Sequence, residues 1–428
     1  MAKVYHSEIF GLREEKYKWL NKHNIKNVKW EKVVPYPEFY LFIPTDNKLA
    51  NHYYSFYKIT EIFPVNSVGI VTGRDDLTIG FTEDEIWNRV RNFARLEPEL
   101  ARQTYKLGED SRDWKVEYAQ KELKDSGLSK KNLTRILYRP YDIRYTYYTG
   151  KSSGFHMTPR GSVLKNLLNI NLAIVLPRRV ETKIPWQHCF LSESVVEHVA
   201  VSLKTSDYIF PLYLYPEKKE EKKGTLVQML MFEPEVEYKT RQPNISQGLF
   251  EELKKNYKKR VATEEIFYYV YAVLYSNSYR TKYAEFLKRD FPRVPFTKNY
   301  KLFIQLGKLG EQLANLHLLK AKELEKVKIE FLSKGDNKVE KPRFASVLHG
   351  NGKVYINKEQ YFDNVPEQVW QYQIGGYQVC EKWLKDRKER TLTLEEIQTY
   401  SKIVTALSKT IQLQNEIDKL YESVEKTV

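Results

Sequence analysis

Hydrophobic and polar positions in the first 215 residues alternate over short distances, which predicts a mixture of short helices and strands. The segment "EKYKWLNKHNI" has helical spacing, and "EFYLFIP" between Pro37 and Pro44 predicts a strand. "SVGIVTGRDDLTIGF" predicts two strands around a turn at Gly73. "NINLAIVLPRRV" predicts a buried strand that ends at Pro177, and "HVAVSLKTSDYIFPLYLYP" predicts a further strand followed by an aromatic turn.

Two helices carry a local start signal in the sequence. Thr82 is followed three residues later by Glu85, and Thr393 is followed by Glu396, which is the spacing of a capping box. After Thr393, apolar residues recur every three or four positions and predict one buried helical face, consisting of Ile397, Tyr400, Val404, Leu407 and Ile411.

From residue 246 onward the pattern becomes mainly helical. "TEEIFYYVYAVLYSNSYRTKYAEFLKRDFP" predicts a helix capped by Thr263, a break near Ser276 and a stop at Pro292. Further on, Asn351-Gly352 predicts the turn of a small β-hairpin. The sequence thus predicts an α+β fold, with a mixed lobe over 1–215, a charged linker or loop over 216–245, and a helical lobe over 246–428.

Composition narrows the class of protein. The 428 residues are 42% hydrophobic and 14% aromatic, which excludes a disordered chain. A net charge of +15 points to a polyanionic partner. The two cysteines, Cys189 and Cys380, provide neither a disulfide framework nor a thiolate metal set. We find no secretory signal and no apolar run long enough to span a membrane, so the sequence predicts an intracellular, cytoplasmic protein.

One segment, "YRPYDIRYTYYTGKSSGFHMTPRG" from Tyr138 to Gly161, concentrates aromatic, basic and glycine residues. Its "TGKSS" resembles the end of a phosphate-binding loop, but that motif needs a glycine where this chain has Tyr145. The alternative is a nucleic-acid surface, in which basic side chains contact phosphates and aromatic rings stack or pack behind the groove.

No complete catalytic constellation is present in the sequence. Serine-hydrolase, zinc-protease, dinucleotide-binding and amino-methyltransferase motifs are missing. His188, Cys189 and His198 lie close together but match no standard zinc spacing. Asp142 with Glu181 and Lys183 leaves open the hypothesis of a metal-dependent nuclease.

Seven blocks occur in the same order as in a known family. They are "SVGIVTGRDDL", "SRDWKV", "ILYRPYDIRYTYY", "IFPLYLYP", "YAVLYSNSYRTKYAEFLKRDFPRVPF", "LGEQLANLHLL" and "IGGYQVCEKWLKDRKERTL". With them, nearly the whole chain resembles the C-terminal target-recognition region of type ISP restriction-modification enzymes and related type II fusions. Tyr141 stands where that family usually has phenylalanine, and the nuclease, helicase and methyltransferase parts of those enzymes are absent from this sequence.

The resemblance implies a function without its own catalysis. The chain would read a double-stranded DNA sequence for an adenine-specific methyltransferase, a helicase–nuclease subunit, or both. No cofactor is expected on this chain, and S-adenosylmethionine is expected only on a methyltransferase partner. A structural partner of a methyltransferase that does not touch DNA remains an alternative.

Candidate DNA-contacting residues lie in two regions. The first is the loop around "VTGRDD", and the second extends from "YRPYDIR" to "LPRRV". Arginine can read guanine or contact phosphate, and aspartate can accept from cytosine. Local ion pairing explains several of these side chains equally well. The candidates are Arg74, Asp75, Arg139, Arg144, Lys151, Ser152, Arg160, Arg178 and Arg179.

Overall fold

The structure is a computed structural model that describes residues 3–35, 39–152, 154–181, 184–216, 241–326, 329–347 and 350–428. The α-helices are α1 (Arg13–Lys22), α2 (Asn47–Tyr54), α3 (Ile59–Ile62), α4 (Asp75–Thr78), α5 (Glu83–Arg95), α6 (Pro98–Thr104), α7 (Val116–Asp125), α8 (Gly161–Leu164), α9 (Gln247–Tyr257), α10 (Thr263–Tyr275), α11 (Asn277–Lys282), α12 (Ala284–Leu287), α13 (Tyr300–His317), α14 (Glu367–Trp370), α15 (Val379–Lys385) and α16 (Leu394–Val424).

The β-strands are mostly short. They are β1 (Val4–His6), β2 (Glu31–Val33), β3 (Tyr57–Lys58), β4 (Ser67–Val68), β5 (Ile79–Gly80), β6 (Leu133–Arg139), β7 (Asp142–Tyr147), β8 (Ala173–Pro177), β9 (Phe190–Ser192), β10 (Val195–Val196), β11 (Asp207–Pro211), β12 (Tyr213–Leu214), β13 (Gln242–Pro243), β14 (Arg293–Val294), β15 (Phe331–Leu332), β16 (Arg343–Ser346), β17 (Asn351–Tyr355), β18 (Tyr361–Pro366), β19 (Gln373–Ile374) and β20 (Tyr377–Gln378). Helices and several small sheets together confirm the predicted α+β class.

The chain divides into two compact units, Met1–Tyr57 and Lys58–Val428. In the first unit β1 pairs with β2, and α1 forms where a helix was predicted. The predicted strand "EFYLFIP" is wrong for residues 39–44, which form no strand. Tyr40 has a φ of 49°, and a left-handed residue interrupts the extended backbone that a strand requires.

Three four-stranded sheets organise the second unit. Their strand orders are β10-β6-β7-β5, β4-β11-β8-β9 and β15-β18-β17-β16. In the first sheet β10 pairs in parallel with β6, and β7 pairs antiparallel to both β6 and β5. The predicted buried strand is β8, in which every residue is buried, and the following strand β11 pairs antiparallel with it.

Both predicted cap residues lie at helix starts, but only Thr393 forms the reciprocal capping box; at Thr82 the Glu85 carboxylate accepts from the Phe81 amide instead. The Thr82 hydroxyl accepts from the Glu85 amide at the start of α5, and Thr393 accepts from the Glu396 amide at the start of α16. The predicted apolar face of α16 also holds, because Ile397, Tyr400, Val404 and Leu407 are buried and Ile411 packs partly buried against them.

Two details of the helical region differ from the sequence pattern. Thr263 is the first residue of α10 rather than its cap, which is Ala262, whereas Ser276 does separate α10 from α11. The predicted hairpin is present as β16 and β17, but Asn351-Gly352 is not its turn. Both residues lie within β17, where Gly352 pairs with Ser346 and leaves room for the Phe344 ring.

A hydrophobic cluster in the second unit runs across the predicted lobes. It includes Ile136 and Val175 from the first and Phe362, Tyr400 and Leu407 from the second. Of the predicted linker 216–245, residues 217–240 lie outside the described residues, and Gln242–Pro243 form β13, which pairs with β12. The boundaries of the lobes therefore stay a prediction. Within the described parts of the chain, no helix is both long enough and apolar enough to cross a membrane.

Candidate nucleic-acid interface

The aromatic residues of "YRPYDIRYTYY" are mainly part of the interior. Strands β6 and β7 form an antiparallel pair, and Tyr141 in the connection has a φ of 62° and is buried. The Tyr147 hydroxyl lies 2.9 Å from Asn132 Nδ2, and the Tyr148 hydroxyl donates to the Pro159 carbonyl at 2.8 Å. A buried tyrosine normally satisfies its hydroxyl in this way, so these rings support the fold.

Arg139 and Arg144 gather around the ring of Tyr138. Their guanidinium carbons lie 3.9 and 4.0 Å from its centroid, on a surface that is largely closed to solvent. Arg139 Nη1 pairs with Glu197 at 2.7 Å, and its side chain is only 11% exposed. Arg144 pairs with Asp142 at 2.7 Å and is exposed to the same extent. The charges of both predicted DNA contacts are therefore compensated inside the protein.

Asp142 lies at the centre of a buried ion network. One carboxylate oxygen accepts from Arg144, and the other accepts from Arg387 at 2.9 Å. Arg387 also donates to Glu396 at 3.2 Å. Although burial opposes it, the two guanidinium groups hold the pKa of Asp142 below its usual value. Asp142 is thus a permanently charged structural residue with both oxygens occupied.

Arg74 and Asp75 are also held by internal contacts. Arg74 donates to the carbonyls of Gly73, Leu107 and Glu109 and lies 4.8 Å from the Trp114 ring centroid. Asp75 accepts from the Thr72 hydroxyl and from the Tyr138 hydroxyl. In the predicted recognition loop at "VTGRDD", Arg74 and Asp75 therefore hold neighbouring segments in place, whereas the third charged residue, Asp76, is exposed.

The remaining candidates are exposed, beginning with a loop from Gly150 to Gly161 that we call the glycine loop. Its two end glycines approach so closely that a Cβ on Gly161 would overlap the Gly150 carbonyl oxygen. Buried Glu122 accepts from the Thr149 hydroxyl and from the Phe155 amide. Lys151, Ser152 and Arg160 project to solvent from this fixed base, whereas Ser153 lies outside the described residues.

Arg178 and Arg179 follow β8 directly and are also exposed. Their side chains are 57% and 65% exposed, and they pair with Asp290 and Glu181 respectively. Asp290 also binds Lys58 at 2.5 Å. Although burial opposes it, hydrogen bonds from Lys58 and Arg178 hold the pKa of Asp290 below its usual value.

Hydrogen bonds connect this arginine pair to two other loops. The Thr205 hydroxyl donates to the Arg179 carbonyl at 2.9 Å, and the Val180 amide donates to the Lys288 carbonyl at 3.0 Å. These three loops, together with Lys58, which shares Asp290 with Arg178, contribute one set of cations, which we call the basic rim. It consists of Lys58, Arg178, Arg179, Lys204, Lys288 and Arg289.

Sequence reasoning did not single out Lys58, Lys204, Lys288 or Arg289. Each is an ordinary basic residue in the printed sequence, and no motif marks it. The sequence predicts a helical stretch up to Pro292, so Lys288 and Arg289 lie inside it and no predicted helix end marks them, whereas in the structure they follow α12. Their proximity to Arg178 depends on hydrogen bonds across more than 100 residues, since the Arg178–Asp290 pair spans 112.

The basic rim and the glycine loop are attached to one short backbone segment. The Val71 amide donates to the Thr158 carbonyl at 3.0 Å, on the glycine-loop side. The His198 amide donates to the Ile70 carbonyl at 3.0 Å, on the side that leads to Lys204. Two adjacent residues therefore hydrogen-bond to the segments that lead to the two basic surfaces.

Among the described residues, neither the nuclease residues nor the histidines and cysteine form a catalytic or metal-binding arrangement. Asp142 is occupied by arginines, Glu181 pairs with Arg179, and Lys183 lies outside the described residues. His188 and Cys189 are buried, and burial lowers the pKa of His188 to about 4. Among the residues that the structure describes, no group of His, Cys, Asp and Glu side chains has a metal-binding arrangement.

Comparisons with known proteins now define the family. The sequence model of the Type ISP C-terminal specificity domain matches residues 61–416. No curated protein sequence matches the chain. The DrdV–DNA complex is 20% identical with a TM-score of 0.68 and covers 97% of this chain and 43% of that one. A nuclease-deletion mutant of the Type ISP restriction-modification enzyme LlaGI, in complex with a DNA substrate mimic, is 20% identical with a TM-score of 0.62 and covers 97% and 39%.

A third solved structure has the same fold. The ATP-dependent Type ISP restriction-modification enzyme LlaBIII, bound to DNA, is 17% identical with a TM-score of 0.63 and covers 91% of this chain and 25% of that one. The chain thus spans less than half the length of each of these proteins. Because the family model covers most of the sequence, this chain belongs to the Type ISP C-terminal specificity domain family.

Proposed function

We propose that this chain is the target-recognition module of a restriction-modification system and binds a specific sequence in double-stranded DNA. The observation that carries the proposal is the division of the arginines and lysines into two sets. Arg74, Arg139 and Arg144 are held by contacts inside the protein, whereas the glycine loop and the basic rim also contain exposed cations, which are Lys151, Arg160, Arg178, Arg179 and Lys204. Exposed arginine and lysine side chains on fixed loops can contact phosphates and base edges.

The similar proteins also support this proposal. The matched family is a specificity domain, and DrdV, LlaGI and LlaBIII are all described in complexes with DNA or a DNA mimic. We assign the phosphate contacts to Lys151, Arg160, Arg178, Arg179 and Lys204, with Ser152 beside Lys151. The mixed lobe over 1–215 would carry the recognition surface, and the lobe over 246–428 would close the DNA cleft or bind the partner.

The module would act on behalf of catalytic partners. By its family it would direct an adenine-N6 methyltransferase, a helicase–nuclease subunit, or both. S-adenosylmethionine would then reside on the methyltransferase. Titration calorimetry of the purified chain with S-adenosylmethionine should give no binding heat. A stoichiometric complex would instead assign the cofactor to this chain and contradict the division of roles.

The DNA proposal is tested by selection from a randomised duplex pool at about 50 mM and about 200 mM salt, followed by sequencing of the bound fraction. We expect an enriched motif and an affinity that falls steeply with salt, because each neutralised phosphate releases counterions. Salt-dependent binding without a motif would reduce the module to a general DNA surface. Absence of binding at both salt concentrations would refute the proposal and leave a DNA-free structural partner.

A pair of variants locates the surface. Arg179→Ala should lower affinity by roughly 1–3 kcal/mol. If Arg179 contacts a phosphate, every sequence weakens equally and the salt slope falls by about one; if it reads a base, one motif position relaxes. Arg112→Ala is the matched control, because Arg112 is 90% exposed and pairs with the adjacent Asp113. Equal losses in the two variants would show that net charge, not the basic rim, drives binding.

A further inference from the structure

One apolar side chain protrudes beside the basic rim. Leu203 is 51% exposed at the tip of the loop Val201–Ser206, next to Lys204. An isolated surface leucine is common and needs no functional explanation. Leu203 differs from such a leucine because its loop is fixed by hydrogen bonds.

Hydrogen bonds within the loop fix its backbone. The Asp207 carboxylate accepts from the Val201 amide at 2.6 Å and from the Ser202 amide at 3.1 Å. The Ser202 hydroxyl lies 2.8 Å from the Thr205 hydroxyl and accepts from the Thr205 amide at 3.2 Å. The residues on both sides of Leu203-Lys204 are therefore hydrogen-bonded to one another, and these two tip residues are exposed to solvent.

The loop is also fixed from outside, on two sides. Thr205 donates to the Arg179 carbonyl, which places the tip beside the basic rim. On the other side the Gly376 amide donates to the Val201 carbonyl at 3.0 Å. Leu203 lies over Gly376 so closely that a Cβ there would overlap the leucine side chain. A glycine at position 376 thus leaves the space that the Leu203 side chain occupies.

The neighbours of Leu203 determine what it can contact on DNA. Cations such as Arg179 and Lys204 interact with phosphates, whereas a leucine can form no hydrogen bond with phosphate, sugar or base edges. In the major groove the apolar group available to a side chain is the C5-methyl group of thymine. We propose that Leu203 contacts the methyl group of one thymine in the recognition site and so determines specificity at that base pair. This inference rests on the proposed DNA-binding function.

The test removes that methyl group and nothing else. In the selected duplex, each thymine of both strands is replaced in turn by deoxyuridine, and binding is followed by fluorescence anisotropy. One replacement should weaken wild-type binding about fourfold, the value for one buried methyl-sized group. Leu203→Ala should bind the unmodified duplex about fourfold more weakly and lose nothing further with that deoxyuridine.

Leu168→Ala is the matched control, because Leu168 is 49% exposed and lies elsewhere in the chain, at the end of the short 3-10 helix Lys165–Leu168. It should respond to deoxyuridine as the wild type does. The proposal is overturned if no deoxyuridine weakens the wild type, if Leu203→Ala still responds, or if the selected site contains no A·T pair. A different result would be that Leu203→Ala loses affinity equally for all sequences and that 2-aminopurine fluorescence increases at one base step of the duplex. Leu203 would then be a wedge between base pairs, which would also overturn the proposal.

The two proposals fail in different ways. If the wild-type chain selects no motif, the proposed function fails and this inference fails with it. If the wild type selects a motif but the deoxyuridine scan is flat, only the role of Leu203 is refuted.

Discussion

Arg387 donates a hydrogen bond of 2.9 Å from Nη2 to Oδ1 of Asp142, which precedes it by 245 residues. Both side chains are almost completely buried, at 6% and 1% exposed. The pair joins the hairpin of β6 and β7 to the segment between α15 and α16. A buried charge is tolerated only when it is paired and hydrogen-bonded, so this contact links the two predicted lobes energetically.

Removing one partner of this pair should destabilise the protein strongly. Arg387→Met is expected to lower the free energy of unfolding by about 3–5 kcal/mol, because Asp142 would keep its burial and lose one of two compensating cations. Urea unfolding followed by tryptophan fluorescence measures the change. Arg112→Met removes an exposed pair that solvent screens and should leave the free energy of unfolding nearly unchanged. Similar values for the two variants would show that the buried pair contributes no special stability.

Two glycines of α13 should respond to alanine with opposite signs. At Gly307 a Cβ would lie 3.5 Å from the Glu265 carbonyl oxygen, which is an ordinary contact, so Gly307→Ala should stabilise by about 0.5–1 kcal/mol through helix propensity. At Gly310 a Cβ would overlap the Tyr268 carbonyl oxygen, and Gly310→Ala should destabilise by roughly 1–3 kcal/mol. Thermal unfolding of both variants is the measurement. If both variants shift the melting temperature in the same direction, the close contact between Gly310 of α13 and the Tyr268 carbonyl of α10 would be contradicted.

Arg160 combines exposure with a left-handed backbone. Its φ is 56°, a conformation that costs a non-glycine residue about 1–2 kcal/mol. Arg160→Gly should therefore raise or preserve stability while it weakens DNA binding, because it removes a proposed phosphate contact. Lys258→Gly is the control, since Lys258 has a φ of 53° at the end of α9 and is exposed. Both variants should gain similar stability; a comparable loss of DNA affinity in Lys258→Gly would argue against a specific role for Arg160.

Asp207 should give the protein a pH-dependent stability near neutrality. Burial raises the pKa of Asp207 to about 7, although the amides of Val201 and Ser202 favour its charged form. In the unfolded chain the carboxyl titrates near 3.9. Between about pH 4 and pH 7 the folded state therefore holds more protons, and the Asp207 contribution to stability falls as pH rises, by up to about 1.4 kcal/mol per unit.

The variant Asp207→Asn stays neutral throughout this range. The difference in unfolding free energy between the variant and the wild type should shift in favour of the variant from pH 5 to pH 7.5. Urea titrations at several pH values measure it, and the difference cancels the titration of groups that do not interact with Asp207. Parallel curves for the two proteins would refute the raised pKa. Both proteins keep the charged and titratable groups that interact with Asp207, which are Arg139, Glu197 and His198.

Local chemistry accounts for the parts of the fold that the sequence predicted correctly. Thr82 and Thr393 begin helices because each hydroxyl reaches an amide only three residues away. The strand at Ala173–Pro177 is recognisable because a run of apolar residues ends at a proline. By contrast, "EFYLFIP" has the composition of a strand, but residues 39–44 form no strand. Tyr40 in this segment adopts a left-handed backbone.

The sequence by itself determined the family, the α+β class, the starts of major helices and a positive charge that suits a polyanion, because these depend on local spacing and composition. Only the tertiary structure decided which cations are available. Arg139 and Arg144 look no different in the sequence from Arg178 and Arg179, yet the first two meet Glu197 and Asp142 in the interior. The physical reason is that burial and ion pairing depend on contacts between residues far apart in the chain, such as Asp142 with Arg387 and Arg178 with Asp290.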